Sequence, residues 1–177
     1  VAVKVVSNES TDEETLRRFR NEAQSAARLD HPNIARVYYV GEDKGWNYIV
    51  FEYIEGVNIR DLVDHRGLLP VVEAVSYTIQ VAEALAHAAE RDVVHRDIKP
   101  HNLMLSPDGQ VRILDFGLAG FATESAIIES DSTGGTEGDT TPLHLTTFGS
   151  VMGTPDYIAP EQVRREQITP KTDVFNL

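Results

Sequence analysis

Cysteine is absent from the 177 residues, which removes disulfides, Cys-ligated zinc, iron–sulfur centres and a thiol nucleophile from consideration. Positive charge is scarce: 16 Lys and Arg stand against 28 Asp and Glu, a formal net charge of -12. General nucleic-acid binders and proteins of anionic membrane surfaces need the opposite balance, so no nucleic-acid partner is expected. The shortage is sharpest from Ile113 through Val163, where not one Lys or Arg occurs. Long apolar runs are missing too. Nothing approaches the ~20 apolar residues that cross a bilayer, so no membrane segment is expected in this chain, and the opening Val1 to Val6 run lacks the basic and cleavage regions of a signal peptide. What is present suits one soluble globular domain, with 41% hydrophobic and 25% charged residues. A cytoplasmic location fits, or the cytoplasmic face of a membrane if an anchor lies outside the chain. With no initiator Met, an opening inside an apparent strand and an end at Phe175-Asn176-Leu177 inside an apparent helix, the chain reads as a fragment.

Along the chain, Val1 to Val6 reads as a strand and Asp12 to Leu29 as a helix, with Thr11 a candidate cap and Leu16, Phe19, Ala23, Ala26 and Ala27 spaced for a buried stripe. Ile34 to Val40 and Trp46 to Tyr53 are β-rich runs flanking the turn-prone Glu42-Asp43-Lys44-Gly45, an expected antiparallel hairpin. A short helix is expected near Ile59 to His65, and a long one from about Val71 to Arg91, entered through Pro70. Short apolar pieces at Val93-Val94, Leu103 to Leu105 and Val111 to Leu114 alternate with polar turns such as Pro107-Asp108-Gly109, which suggests small hairpins. Thr123 to Thr141 is a Ser, Thr, Gly and acid-rich insertion with the composition of a loop.

The chemistry concentrates in His95-Arg96-Asp97-Ile98-Lys99-Pro100-His101-Asn102, which sets an acid, a base and an amide close together, followed by Asp115-Phe116-Gly117. With Val-Ala-Val-Lys at Val1 to Lys4, the helix acid Glu22 and Ala159-Pro160-Glu161, five motifs stand in an order that resembles the eukaryotic-type serine/threonine protein kinase catalytic domain, truncated at both ends. The wording Gly-Thr-Pro-x-Tyr-x-Ala-Pro-Glu-Gln from Gly153 to Gln162 looks most like the bacterial branch. The resemblance implies an α+β, two-lobed fold: residues 1–54 a partial N-lobe, a small antiparallel sheet with one helix, and residues 55–177 a partial, mainly helical C-lobe, both incomplete.

It also implies roles. Lys4 would contact the ATP α- and β-phosphates and be held by an ion pair with Glu22. Asp97 would accept or orient the hydroxyl proton of a Ser or Thr acceptor, and Lys99 would stabilise the migrating phosphoryl group. Asn102 and Asp115 are hard oxygen ligands suited to Mg²⁺ or Mn²⁺. Ala2 and Met104 match positions that sandwich adenine, Glu52 to Ile54 match the hinge that reads its edge, and Phe51 matches the gatekeeper. His95 and Phe116, with Ala26 and Val37, match a stacked apolar spine, so His95 is not taken as a base. Lys99 and Thr154 favour Ser/Thr over Tyr specificity, with protein substrates as partners. Asp173 matches an acid that anchors the catalytic loop.

Arg96 before Asp97 implies control by activation-segment phosphorylation, with Thr146, Thr147 and Ser150 as candidates, although Phe148 and Gly120 depart from the pattern of related kinases. The strands and glycine-rich loop that precede Lys4 in the family are not in the chain, which leaves activity of the chain by itself open. The rival reading is a pseudokinase scaffold that binds nucleotide or partner proteins without catalysis; a small-molecule kinase fits less well, because that group typically lacks the Lys99 arrangement and the Ala-Pro-Glu segment.

Overall fold

A computed structural model describes residues 1–7, 11–116 and 155–177. The 123–141 insertion and the residues Gly117, Thr146, Thr147, Ser150 and Thr154 singled out above lie outside them. The first unit is a three-stranded antiparallel sheet in the order β1-β3-β2, from β1 (Ala2–Ser7), β2 (Val37–Asp43) and β3 (Trp46–Phe51), covered by α1 (Glu13–Ala26). β2 begins later than the sequence suggests: Ile34 leaves this sheet and forms a parallel bridge with Ile113 in the second unit. The β2–β3 turn is taken by Lys44 and Gly45, both left-handed at φ 48° and 80°, the geometry that suits strand twist in a tight hairpin.

The α1 stripe forms largely as its spacing requires. Leu16, Phe19, Ala23 and Ala26 are buried, the first three against Val6, Ile49 and Phe51 on the inner face of the sheet and Ala26 in the core of the second unit. Ala27 is not part of it; the helix ends there and the residue is exposed. The cap is Asp12 and not Thr11: Asp12 Oδ1 accepts from the Thr15 N–H at 3.0 Å, satisfying an amide that the helix itself leaves orphaned. Period-two alternation along β1 sends Val3 and Val5 outward and Lys4 and Val6 inward. Lys4 therefore starts on the covered face, opposite Ile49.

The second unit holds the hairpins β4 (Val57–Asn58), β5 (Leu103–Leu105) and β6 (Val111–Ile113), with α2 (Ile59–Arg66), α3 (Val71–Ala89), α4 (Pro160–Arg164) and α5 (Pro170–Asn176). α3 ends two residues before Arg91, and Val93-Val94 is not a strand. Val81, Ala84, Leu85 and Ala88 of α3 share a buried cluster with Ile59 and Leu62 of α2, Ile98, Leu103, Val111, Ile113 and Phe116. Ile98 therefore pins the loop around Asp97 into apolar core, where each fully buried aliphatic side chain contributes about 1.5–3 kcal/mol.

A polar joint ties the two units together. Asn33 Nδ2 donates to the Val111 carbonyl at 2.7 Å and to Gln80 Oε1 at 3.0 Å. That same Gln80 oxygen accepts from the Val111 N–H at 2.8 Å. Ala35 N–H to Ile113 C=O and Ile113 N–H to Asn33 C=O, both 2.9 Å, complete the seam. Buried polar groups of this kind hold only when every partner is present, which fixes the loop after α1 on the strand that leads to Asp115.

Candidate active site

The loop from His95 to Asn102 is held from beneath by one carboxylate. Asp173 of α5 is buried, and its Oδ2 and Oδ1 accept from the backbone N–H groups of His95 and Arg96, each at 2.7 Å. Burial pushes the Asp173 carboxyl up from its ordinary range, and the two N–H groups oppose that rise. Arg96 has a left-handed backbone at φ 72°, a region L-residues avoid because Cβ crowds the following carbonyl.

His95 is fully buried. Its Nε2 lies 2.7 Å from the Leu114 carbonyl, while Nδ1 accepts the Asp97 N–H at 3.2 Å. These contacts fix the neutral tautomer with the proton on Nε2, since Nδ1 must be an acceptor. Burial lowers the His95 pKa in keeping with that. The ring meets Phe116 edge-on with centroids 4.8 Å apart, so His95 is a structural post, as the resemblance implied. Ala26 and Phe116 share one apolar cluster, and Val37 packs against it.

Above this base the reactive groups form a continuous line. Lys99 Nζ lies 2.8 Å from Asp97 Oδ2. Asn102 Nδ2 donates to the Asp97 carbonyl at 2.8 Å and to the same Oδ2 at 3.2 Å. Among the described residues Asp97 Oδ1 has no partner, which leaves one carboxylate oxygen able to accept from an incoming hydroxyl. The Leu114 N–H donates to the Asn102 carbonyl at 2.9 Å, setting Asp115 beside Asn102. Asp115 has positive φ, 56°, and its Oδ2 stands 3.5 Å from Lys4 Nζ.

One expected pair is not formed. Glu22 does not meet Lys4; its Oε1 accepts from Arg96 Nη1 at 2.9 Å. The reason is geometric: Glu22 projects from α1 over Val93, Val94 and Arg96, and Arg96 is the cation within reach there. Burial raises the Glu22 pKa and the Arg96 charge opposes it. Glu14, another acid of α1, pairs with Arg18 along the helix.

Around the adenine positions, Ala2 lies opposite Phe51 in the β1–β3 register and is exposed, whereas Phe51 is buried in the small-lobe core. Met104 sits in β5, across from Asn58 and Arg112. The Glu52 N–H donates to the Arg36 carbonyl at 2.8 Å, and its side chain faces Arg112 at 3.8 Å. Among the described residues the Ile54 N–H has no acceptor. Gly56 follows the hinge at φ 157°; a Cβ there would stand 2.2 Å from the Leu105 carbonyl oxygen, so only glycine lets β4 approach β5.

A sequence model of the protein kinase domain matches residues 1–177. The chain belongs to the protein kinase family. Among its relatives are serine/threonine-protein kinase PrkC of Bacillus subtilis, 37% identical over the whole chain and 25% of that protein, and serine/threonine-protein kinase PknB of Mycobacterium leprae, 36% identical over the whole chain and 26% of that protein. The PknI kinase domain of Mycobacterium tuberculosis superposes with a TM-score of 0.70 at 30% identity, over 97% of this chain and 57% of that one. This kinase chain thus spans about a quarter of the length of those curated relatives. The α+β, incomplete two-lobed fold is the kinase fold. Among the described residues no helix is long and apolar enough to cross a membrane.

Protein kinases use ATP and a divalent metal, and the residues present fit both. Lys4 Nζ is buried and makes no hydrogen bond among the described residues, only the 3.5 Å ion pair with Asp115, so it keeps N–H donors for phosphate oxygens. Asn102 spends its Nδ2 on Asp97 and keeps Oδ1, which with Asp115 gives two hard oxygens; Mg²⁺ ordinarily takes few protein oxygens and fills its shell with phosphate and water. Two supporting residues were not anticipated from the sequence. Gln80 carries no motif signal. Gln162 stood in view as the last letter of the Ala-Pro-Glu-Gln run, and its bonds come below.

Proposed function

We propose that the protein carrying this chain is a serine/threonine protein kinase that transfers the γ-phosphate of ATP, with Mg²⁺ or Mn²⁺, to Ser or Thr hydroxyls of protein substrates. The observation that supports this best is the unbroken line from Lys4 through Asp115, Leu114, Asn102 and Asp97 to Lys99. Residues 1–54 serve as the N-lobe part and 55–177 as the C-lobe part, with Ala2, Met104 and the Glu52 to Ile54 backbone around adenine. Catalysis in the cytoplasm, with or without an anchor outside this chain, fits the reading.

In the proposed mechanism Asp97 does the orienting. Lys99 and Asn102 hold Oδ2, so Oδ1, unpartnered among the described residues, accepts the hydrogen bond of the acceptor hydroxyl and aims its lone pair. Lys99 stays beside the developing negative charge, where a fixed cation in a partly buried site is worth more than in water. Lys4 binds phosphate oxygens, and Asn102 and Asp115 hold the metal, which when bound supplies charge neutralisation across the phosphates. For turnover we propose that Lys4 exchanges Asp115 for Glu22. Arg96 would then be released from Glu22, and a phosphate on Thr146 or Thr147 would be its alternative partner.

The crossed pairs, Lys4 with Asp115 and Glu22 with Arg96, are the one feature that favours the second reading, a scaffold that binds nucleotide or partner proteins without transfer. Full-length protein incubated with γ-labelled ATP, Mg²⁺ and dephosphorylated casein decides between them. Label on Ser and Thr, abolished by Asp97→Asn, is expected. Equal turnover by Asp97→Asn would sink the mechanism, and nucleotide binding without label on either protein would establish the scaffold.

A further inference from the structure

The peptide joining Arg96 to Asp97 is the unit that aims the Asp97 side chain, and it is held at both ends. Its N–H donates to His95 Nδ1 at 3.2 Å. Its carbonyl accepts from Gln162 Nε2 at 2.7 Å. Rotation of this peptide plane changes ψ of Arg96 and φ of Asp97, the soft dihedrals on either side of it, and would swing Asp97 away from Lys99. Asp173 cannot prevent that rotation, because it holds the preceding N–H groups only.

Gln162 is built for the task. Its Oε1 accepts from the Ala159 N–H at 3.0 Å while its own N–H donates to the Ala159 carbonyl at 3.0 Å. The carboxamide therefore bridges a donor in the segment that ends at Ala159 and an acceptor in the catalytic loop. At neutral pH the amide does both with one planar group, whereas an ionised carboxylate has no donor, Lys and Arg have no acceptor, and Met has no donor and only a weak acceptor. Gln162 reaches across 66 residues of sequence to the loop; beside it, Thr172 Oγ1 donates to Glu161 Oε1 at 2.6 Å, which fixes α4 on α5 and leaves the amide to face the loop.

We propose that Gln162 is a positioning residue for phosphoryl transfer, locking the Arg96–Asp97 peptide plane and coupling the end of the activation segment to the catalytic loop. This rests on the reading of Asp97 as the group that meets the acceptor hydroxyl. The test uses full-length protein with Gln162→Met, Gln162→Glu and Asp97→Asn. Gln162→Met should lower kcat about tenfold, the worth of one such hydrogen bond, with KM for ATP unchanged. Gln162→Glu should be impaired at least as much at about pH 7.5, because an ionised carboxylate has no proton to donate and sets an oxygen against the Arg96 carbonyl.

If both Gln162 variants keep kcat within twofold while Asp97→Asn is dead, the proposal fails and the reading of Asp97 stands. A parallel loss of kcat, of affinity for ATP and of thermal midpoint in both variants also overturns it, since that marks a purely structural role. If Asp97→Asn turns over normally, the underlying reading fails instead.

Discussion

Replacing Asp173 with Ala would strip the catalytic loop of its anchor. The carboxylate satisfies two backbone N–H groups at 2.7 Å each in a site where Asp173 is 3% exposed. A buried donor left without a partner costs about 1–3 kcal/mol, so two of them place the gross loss at about 2–6 kcal/mol. The left-handed Arg96 backbone, no longer clamped on its N–H side, relaxes and returns roughly 1 kcal/mol. Removing a carboxylate whose burial is itself unfavourable returns some more. A net destabilisation of about 3 kcal/mol is the expected outcome, a factor of roughly 150 in the folding equilibrium. Asp173→Asn should fall near the middle, because its carbonyl oxygen still serves one N–H while its NH₂ opposes the other. Urea denaturation of full-length protein followed by far-UV circular dichroism, alongside kcat, gives the order wild type, Asn, Ala for both quantities. Stabilities of all three within about 0.5 kcal/mol, the noise of surface substitutions, would refute the anchoring argument.

Acidification should weaken the fold. His95 and His31 both have pKa values lowered by burial, so below about 6.5, the ordinary histidine value, the unfolded chain binds protons that the native one does not, and stability falls as pH falls. The urea midpoint should drop between pH 7.5 and 5.5, less steeply in His95→Phe; an equally steep slope in that variant would reject His95 as a cause. Gly56→Ala drives a Cβ into the Leu105 carbonyl oxygen at 2.2 Å, and because both sides of the clash are backbone, a loss of about 1–3 kcal/mol and a raised KM for ATP are expected. An unchanged denaturation midpoint would show that the hinge can yield.

The secondary structure was legible where one period dominates. The i, i+3, i+7 stripe of α1 placed Phe19 on the covered face, because a helix with one apolar face has only one way to bury it, whereas Val1 to Val6 is nearly all apolar and the inward face of Lys4 emerged only in the sheet. Boundaries were less legible: Asp12 took the cap from Thr11 because its carboxylate reaches the Thr15 N–H, and Ile34 left the small sheet because Ile113 offered a bridge. The site was legible wherever its chemistry is contiguous in the chain. Asp97, Lys99 and Asn102 lie within one loop, and their mutual contacts need no knowledge of the distant fold.

By itself, the sequence determined the family and nominated the groups we propose to react, since both depend on residue type at short fixed spacings. Tertiary structure alone decided the pairings. Lys4, Glu22, Arg96 and Asp115 could be matched in two ways with the same count of charges, and the orientation of α1 over the loop selected Glu22 with Arg96 and Lys4 with Asp115. Likewise, that Gln162 holds the Arg96 carbonyl across 66 residues is a matter of where α4 comes to rest. Coulomb and hydrogen-bond energies change over a few ångströms, a scale on which sequence spacing beyond one loop or one helical turn carries no information.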